Sequence, residues 1–333
     1  MAFVYPTRVA SDSVTVTVAD RDRLEDGEFL NDSLVDCFLK DATAGDTLAA
    51  RIHLFSSYFF TKMTDISEDE PTAAKAVERW TKKLGKKLFH LDFLFVPVNE
   101  NLHWSLAVVV NPSGDAPPDH DVIDLVDSSD DDDDATTSDH STTRKTKKKV
   151  PEKKNEPCIL VFDSLRCHDH ERIARYLRAF LKHEYAEHFG ACGRRFSPET
   201  MPVIQLESVP HQQNSYDCGV FVLEYFDLIL KYGGLVVKKN GRGRLHTTLA
   251  KGETRLTQDL FGDAAIKGRR SRGKDFFDDR RAIYDAEEKE RVVDNFSSES
   301  SGEILAVTTM PGKGHRLGGG ETKKIKEAPV VAP

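Results

Sequence analysis

Runs of apolar residues divide the chain into predicted strands and helices. Two unbroken runs, 91–98 (LDFLFVPV) and 103–110 (HWSLAVVV), predict neighbouring buried strands, and ILVFDSL at 159–165 predicts a third. Shorter strands are predicted at 14–18 and 201–209. Together with the helical segments between them, these strands indicate an α+β domain.

The helical signals are capped or strongly patterned. Asn31 or Asp32 can cap a helix whose apolar residues then share one face. The stretch 72–84 predicts a short helix, and 169–189 carries an apolar stripe at helical spacing. Residues 218–232 (CGVFVLEYFDLILKY) are apolar on nearly every side, which predicts a central helix buried in the core and packed on the sheet.

Composition changes abruptly inside the chain. Asp, Ser, Thr, Lys and Pro dominate residues 111–157, which we interpret as a disordered acidic and basic insertion because this stretch cannot bury enough apolar surface. It divides one domain into residues 1–110 and 158–232. Residues 233–311 give weaker signals and are interpreted as the C-terminal region of that domain, and 312–333 as a disordered tail.

Charge and cysteine usage narrow the class of protein. The net charge of −8 argues against a general nucleic-acid binder, although basic residues cluster at 144–149 and 267–274. No apolar run is long enough to span a bilayer, and the first residues lack the pattern of a signal peptide. Five cysteines do not form an evident disulfide framework. We therefore expect a reducing compartment. We also expect the protein to be a monomer.

The sharpest chemical signal is Cys218, which stands between a polar turn and the apolar helix. The positive end of a helix dipole favours the thiolate, which is the nucleophilic form. Gly219 lets a substrate backbone approach closely. Alone, the same pattern fits a small core cysteine equally well.

A thiol nucleophile needs a base and a group that orients the base. His103 begins one predicted strand, and Asp163 ends another. Each is also typical of an ordinary strand end. Their combination with Cys218 at a buried helix start predicts a Cys-His-Asp site.

Several segments resemble the SUMO-specific (sentrin-specific, Ulp-type) proteases, which are cysteine peptidases with a papain-like core. The similar segments are FLND at 29–32, YFFTK at 58–62, VERWTKK at 77–83, FVPVNENLHWSLAVV at 95–109, ILVFDSL at 159–165 and VPHQQNSYDCG at 209–219. Phe29 replaces the family's usual Trp. The interruption at 111–157 resembles the branch that trims SUMO chains. No segment after Gly233 gives a comparable match.

The resemblance implies that Cys218 attacks the carbonyl of the modifier's terminal glycine, while His103 moves the proton and Asp163 orients the imidazole. It also implies that Gln212 donates its amide to the oxyanion. Gln213 is the competing candidate, since the two glutamines are adjacent, but the family spacing favours Gln212.

Three further residues are candidates for binding the modifier's Gly-Gly tail. An indole from Trp104 over the tail would leave a passage too narrow for any Cβ, so that only glycine passes. Phe29 would form the other wall, and Asp32 would bind the tail or the modifier surface. A core position for Trp104 and a helix-capping role for Asp32 remain open.

Within the insertion, DVIDLVDSSDDDDD at 121–134 resembles a SUMO-interacting motif. Such a segment adds an extended strand to a sheet edge while its acids meet a basic surface. The apolar residues of this predicted motif are Val122, Ile123, Leu125 and Val126. A generic acidic linker is the alternative interpretation. The basic cluster at 144–149 is typical of a nuclear import signal or of a solvated linker.

We expect neither a metal nor another cofactor, because the histidines and cysteines lack paired ligand spacing and no phosphate-binding fingerprint is present. The predicted partners are SUMO and SUMO-conjugated proteins, without a membrane or nucleic acid. The predicted location is the nucleus, with the cytoplasm left open. Two alternatives stay open: a deconjugase or acyltransferase for another ubiquitin-like modifier, and an inactive SUMO-binding scaffold.

Overall fold

The structure is a computed structural model that describes residues 2–7, 12–114, 155–190 and 196–301, with side chains through residue 291. It divides into two units, Met1–Tyr284 and Asp285–Pro333. The predicted tail at 312–333 and the predicted motif at 121–134 lie outside the described residues. The two ends of the predicted insertion, 111–114 and 155–157, belong to the described structure.

The described strands lie in three sheets. In chain order they are β1 (Phe3–Tyr5), β2 (Val14–Val16), β3 (Ile52–Leu54), β4 (Phe93–Glu100), β5 (His103–Val110), β6 (Cys158–Phe162), β7 (Val203–Gln205), β8 (Leu235–Lys239), β9 (Leu245–Leu249) and β10 (Thr254–Arg255). The described α-helices are α1 (Val18–Asp22), α2 (Asp32–Thr43), α3 (Tyr58–Ile66), α4 (Glu70–Ala76), α5 (His170–Phe189), α6 (Cys218–Lys231) and α7 (Asp263–Ser301). None of these helices has the length and apolar content to cross a membrane.

The central sheet is mixed, with strand order β3-β4-β5-β6-β7. The outer pairs β3–β4 and β6–β7 are parallel, and the inner pairs β4–β5 and β5–β6 are antiparallel. Every residue of β5 is buried, as the unbroken apolar run predicts for a strand covered on both faces.

Alternate residues of the central strands pack into two separate cores. Phe95 and Leu106 join a core with α2 and α6 on one face, while Val96 and Ala107 join a core with α3, α4 and α5 on the other. Helix α6 is buried along most of its length, so it is the central helix that the sequence predicts. The α+β fold with a buried helix on a mixed sheet is confirmed.

The helix starts follow their capping residues. Asn31, not Asp32, caps α2, because its side chain accepts a hydrogen bond from the backbone N–H of Leu34 at 3.2 Å. Asp169 caps α5 in the same way, through the backbone N–H of Arg172 at 2.9 Å.

The helix predicted over 72–84 is wrong in its extent. Helix α4 ends at Ala76, and a 3-10 turn follows at Glu78–Trp80. The backbone leaves helical geometry at Val77, and the turn brings the ring of Trp80 to 5.8 Å from that of Phe59 in the core.

Residues 234–284 are folded as part of the first unit. Strands β8, β9 and β10 form an antiparallel sheet in the order β10-β9-β8. Ile266 and Phe277, near the start of α7, are buried in the core that contains α6. The sequence signals in this part of the chain are too weak to predict these elements.

Candidate active site

Cys218 is the first residue of α6 and has no exposed surface. The polar turn before it is organised by Asn214, whose side-chain oxygen accepts hydrogen bonds from the backbone N–H groups of Tyr216 (3.2 Å) and Asp217 (3.0 Å). The helix thus starts at the junction that the sequence predicts, and the sulfur lies where backbone N–H groups have no partner within the helix.

The sheet register brings His103 and Asp163 together. Strands β5 and β6 are antiparallel and pair Leu106 with Phe162, so the start of β5 and the end of β6 lie at the same edge of the sheet. The Nε2 atom of His103 is 2.7 Å from Oδ1 of Asp163, and both side chains are buried. The histidine and the aspartate that the sequence predicts to lie together are therefore in contact.

Asp163 is held by the loop that follows it. Its Oδ1 also accepts hydrogen bonds from the backbone N–H groups of Leu165 (3.0 Å) and Arg166 (2.9 Å), and its Oδ2 accepts from that of His168 (3.0 Å). Burial raises the pKa of this carboxyl group, but the hydrogen bonds from His103, His170 and the loop outweigh burial and lower the pKa well below its ordinary value. Asp163 is a fixed anion.

The pKa of His103 is raised, whereas that of Asp163 is lowered. Burial lowers the pKa of its imidazole, but the hydrogen bond with Asp163, the charge of Asp163 and the nearby Cys218 outweigh burial and raise the pKa to about 9. Because Nε2 is engaged by Asp163, Nδ1 is the ring nitrogen left for the thiol. Within the described parts of the chain, Nδ1 is buried and has no hydrogen-bond partner, so it is free to interact with a thiol. The arrangement favours an imidazolium ion next to the sulfur.

Gln212 is buried and contacts Ser164, the residue after Asp163, whereas Gln213 is exposed. The Oε1 atom of Gln212 accepts a hydrogen bond from the Ser164 hydroxyl at 2.6 Å, and its Nε2 donates to the backbone oxygen of Asn214 at 2.7 Å. These contacts fix which end of the amide is the donor, and leave one amide N–H for another acceptor.

The three candidate tail-binding residues differ in exposure. Trp104 is buried, and its indole N–H donates to the backbone oxygen of Leu30 at 3.0 Å. Phe29, the neighbour of Leu30, is 40% exposed, so part of its surface is accessible to a binding partner. Asp32 is the first residue of α2, and the N-cap of that helix is Asn31.

Two contacts of the site escape sequence reasoning. Ser164 orients Gln212, and His170 lies with Nε2 at 3.3 Å from Oδ2 of Asp163, on the carboxylate oxygen that His103 does not use. Ser164 lies in the loop after β6 and His170 is the first residue of α5. Both lie within seven positions of Asp163, so proximity to Asp163 in the sequence is the only signal that could find them.

One group of metal-ligand type occurs among the described residues. Ligand atoms of His103, Asp163 and Cys167 lie within 4.8 Å of one another. Because Nε2 of His103 and Oδ1 of Asp163 already share a hydrogen bond, an ion bound by both atoms would replace that contact. Val122, Ile123, Leu125 and Val126 of the predicted interaction motif lie outside the described residues.

A buried helix that begins with a cysteine, packed on a mixed sheet whose edge presents a paired histidine and aspartate, defines a papain-like cysteine protease core. Residues 28–256 match the family described as "Ulp1 protease family, C-terminal catalytic domain". The chain belongs to this family.

Individual relatives agree with this assignment. The chain is 34% identical over 261 residues to human sentrin-specific protease 7, covering 68% of this chain and 24% of that protein. It is 30% identical over 258 residues to ubiquitin-like-specific protease 2 of Schizosaccharomyces pombe, covering 74% of this chain and 38% of the relative. The chain thus corresponds to well under half the length of these relatives.

Among solved structures, one titled "Crystal structure of the de-sumoylating protease" superposes with a TM-score of 0.57 at 18% identity. The match covers 87% of this chain and 95% of that structure. At this identity the likeness supports the fold and not the individual side chains.

Proposed function

We propose that the protein is a SUMO-specific isopeptidase and endopeptidase, which hydrolyses the bond after the modifier's C-terminal Gly-Gly by a Cys-His-Asp thiol mechanism. The observation that carries the proposal is the buried contact of 2.7 Å between His103 and Asp163, next to Cys218 at the start of α6. The human relative is a sentrin-specific protease and the similar solved structure is a de-sumoylating protease, and both support the choice of substrate.

In this mechanism the Cys218 thiolate attacks the carbonyl carbon of the terminal glycine. The imidazolium of His103 then donates its proton to the leaving lysine amine, and a thioester remains on Cys218. His103 next takes a proton from water, which attacks the thioester and releases the free modifier. Asp163 keeps the imidazole in one tautomer and orientation throughout.

The negative oxygen that develops during both attacks needs preorganised donors. The free amide N–H of Gln212 is one proposed donor, and the backbone N–H of Cys218, at the first position of α6, is the other. Ser164 contributes indirectly, because its hydrogen bond to Oε1 of Gln212 keeps the amide nitrogen available.

Specificity for the Gly-Gly tail is proposed to come from Trp104 and Phe29, with Asp32 as a polar contact. The hydrogen bond between Trp104 and Leu30 links the segment that carries Phe29 to the start of β5. Any residue with a Cβ would clash in a passage bounded by these side chains, whereas glycine would not.

A modifier panel tests the proposal. SUMO with a C-terminal fluorophore should be hydrolysed by the wild-type protein and not by Cys218→Ala, and a SUMO vinyl-sulfone probe should label the wild-type protein only. Cys167→Ala is the matched control, because it removes the exposed cysteine near the site and should leave labelling intact. Cleavage of another modifier without cleavage of SUMO would show that the substrate is wrong, and binding without any adduct would indicate a scaffold.

We also propose that the catalytic domain is interrupted by an insertion that carries a second SUMO-binding segment at Val122, Ile123, Leu125 and Val126. Such a site would raise the avidity for SUMO chains without taking part in catalysis. A peptide of residues 115–140 should bind SUMO in a titration, and a peptide with these four residues replaced by Ala should not. Absence of binding by the native peptide at high micromolar concentration removes this part of the proposal.

The proposed location is the nucleus, on the basis of the basic cluster at 144–149, and the proposed state is a monomer that does not bind nucleic acid. A fluorescent fusion should lose nuclear accumulation when the basic residues of 144–149 are replaced by Ala. Retention of nuclear signal by the altered fusion would show that another segment directs the protein to the nucleus.

The proposed monomer is tested by light scattering, which should give the mass of one chain.

A further inference from the structure

Arg270 lies on α7, beyond the residues that match the family, and its side chain is buried. Its guanidinium forms hydrogen bonds with two separate segments of the first unit. One is the turn before Cys218, and the other is the segment from Arg23 to Glu28, which leads into Phe29 and Leu30.

The contact with the turn before Cys218 is a buried ion pair. Both Nε and Nη2 of Arg270 donate to Oδ1 of Asp217, at 3.0 and 2.7 Å. Asp217 directly precedes Cys218, and its other carboxylate oxygen accepts a hydrogen bond from Asn214 at 2.7 Å. The position of Arg270 is thus coupled to the start of the catalytic helix.

The contacts with the second segment go to backbone oxygens. Nη1 donates to the carbonyls of Arg23 (3.1 Å) and Glu25 (2.8 Å), and Nη2 donates to that of Glu28 (2.8 Å). The segment therefore curves around the guanidinium, and all five N–H groups of the side chain are used. Lysine has three donors in a different geometry and cannot reproduce this set of contacts.

The second segment ends at the tail-binding residues. The backbone oxygen of Leu30 accepts the indole N–H of Trp104, and the side chain of Leu30 packs against Gly219. A shift of this segment would move Phe29 and Leu30 together. It would thereby disturb both the hydrogen bond to Trp104 and the packing against Gly219, the residue after Cys218.

We infer that Arg270 is a positioning residue, which fixes the tail-binding segment and the catalytic helix in their relative places through simultaneous contacts with Asp217 and the backbone of residues 23–28. The inference rests on the proposed function for its kinetic consequence, but not for its structural consequence. Arg270 touches neither the tail nor the reacting atoms, so it acts on the geometry of the groups that do.

Arg270→Lys tests this inference, with Arg269→Lys as the matched control. The control makes the same change one residue earlier, where the side chain pairs with Asp227 at 2.6 Å and joins α7 to α6 away from Cys218. On SUMO carrying a C-terminal fluorophore, Arg270→Lys should lower kcat about 10²-fold, as expected when reacting groups are misplaced by an ångström. KM should stay within about threefold of wild type, because the folded part of the modifier still binds to the surface of the protein outside the tail passage. Arg269→Lys should change kcat by less than about twofold.

A second measurement does not need activity. In a Trp80→Phe background, Trp104 is the only tryptophan of the chain. Arg270→Lys should move its emission to longer wavelength as the segment at Leu30 loosens, and Arg269→Lys should not. If Arg270→Lys does not melt cooperatively, Asp217→Asn replaces it, with the same emission shift expected.

The outcomes separate the two proposals. Wild-type kcat and wild-type emission in Arg270→Lys, or equal losses in Arg269→Lys, would overturn the positioning role. A wild-type protein that does not cleave SUMO would overturn the proposed function, while the emission shift would still decide the role of Arg270.

Discussion

Gly219 and Leu30 are packed so closely that a Cβ on Gly219 would lie 2.9 Å from the Cβ of Leu30. Real Cβ atoms do not approach so closely, and the atom in the way is fixed to the backbone, so it cannot rotate aside. Gly219 follows the proposed nucleophile. The close approach therefore connects this position to Leu30, whose backbone oxygen accepts the indole N–H of Trp104.

Gly219→Ala is expected to destabilise the protein by roughly 1–3 kcal/mol, the usual effect of overpacking a filled core. It should also lower kcat/KM for SUMO hydrolysis, because the segment at Leu30 has to move. Thermal unfolding and steady-state kinetics check the two effects. Gly241→Ala, where a Cβ meets nothing within 4 Å, is the control and should change neither.

The His103–Asp163 pair predicts how stability depends on pH. The pKa of His103 is raised from 6.5 to about 9, so its contribution is complete below pH 6.5 and is lost as the pH rises through 9. The pKa of Asp163 is lowered, so its contribution is present above its ordinary value of 3.8 and is lost as the pH falls below that value.

The free energy of unfolding should therefore decrease by on the order of 2 kcal/mol between pH 6.5 and 9, from the raised histidine alone. Asp163→Asn should make this part of the profile flatter. Chemical denaturation at a series of pH values measures both slopes. Equal slopes in the two proteins would mean that the pair does not hold the proton as the geometry implies.

Replacement of Gln212 by Ala is expected to lower kcat by roughly 10²–10³-fold, the cost of one oxyanion donor. Ser164→Ala should give a smaller decrease, because the amide keeps its nitrogen but loses the contact that orients it. Neither change should alter KM strongly. Gln213→Ala is the control, and a loss of activity there comparable to that of Gln212→Ala would exchange the assignments of the two glutamines.

His170→Ala should reduce kcat/KM by about 10-fold, since it removes one hydrogen bond to a charged group, an effect of roughly 1.5 kcal/mol. The loss should be much smaller than that of Asp163→Ala, because the backbone donors to the carboxylate remain. His183→Ala, on the same helix and paired with Glu78 instead, should leave kcat/KM at its wild-type value. A loss in His183→Ala as large as in His170→Ala would assign the effect to the helix and not to Asp163.

The two described ends of the insertion are joined directly. Asn111 donates its side-chain amide to the backbone oxygen of Asn155 at 2.9 Å, and Asn155 in turn bonds both the oxygen of Leu235 (2.9 Å) and the N–H of Val237 (3.0 Å). Replacing residues 115–154 by a short Gly-Ser linker should leave the melting temperature and kcat/KM for a single SUMO fluorophore unchanged.

The same deletion should weaken cleavage of SUMO chains if the second modifier site exists. In contrast, Asn155→Ala should lower the melting temperature, because buried hydrogen-bond partners in β8 lose their contact. A deletion variant that fails to fold would show that the insertion contributes to the core.

The sequence predicts the parts of this fold that have a local pattern. His103 and Asp163 are found because buried strands end abruptly at polar residues, and Cys218 because a polar turn meets an apolar helix. Their contact follows from antiparallel pairing of the strands. The hairpin of β8 and β9 turns through 240–244, where Gly243 has a positive φ of 74°, and its short strands contain Lys and Thr as well as apolar residues, so their pattern is weak.

Arg270 could not be found in this way. Three of its partners are backbone oxygens more than 240 positions earlier in the chain, and backbone oxygens leave no mark in a sequence. In the sequence it is one of several neighbouring cations, and only the fold distinguishes the buried guanidinium of Arg270 from its more exposed neighbours. Tertiary contacts of this kind cannot be predicted from local sequence patterns.

The sulfur of Cys218 has no exposed surface, and its neighbours His103 and Trp104 are almost as thoroughly covered. An electrophile or peroxide diffusing past the protein therefore meets no exposed sulfur. For a reagent to reach the thiol of Cys218, the side chains that cover it have to move aside. The packing thus shields the most reactive group of the proposed site.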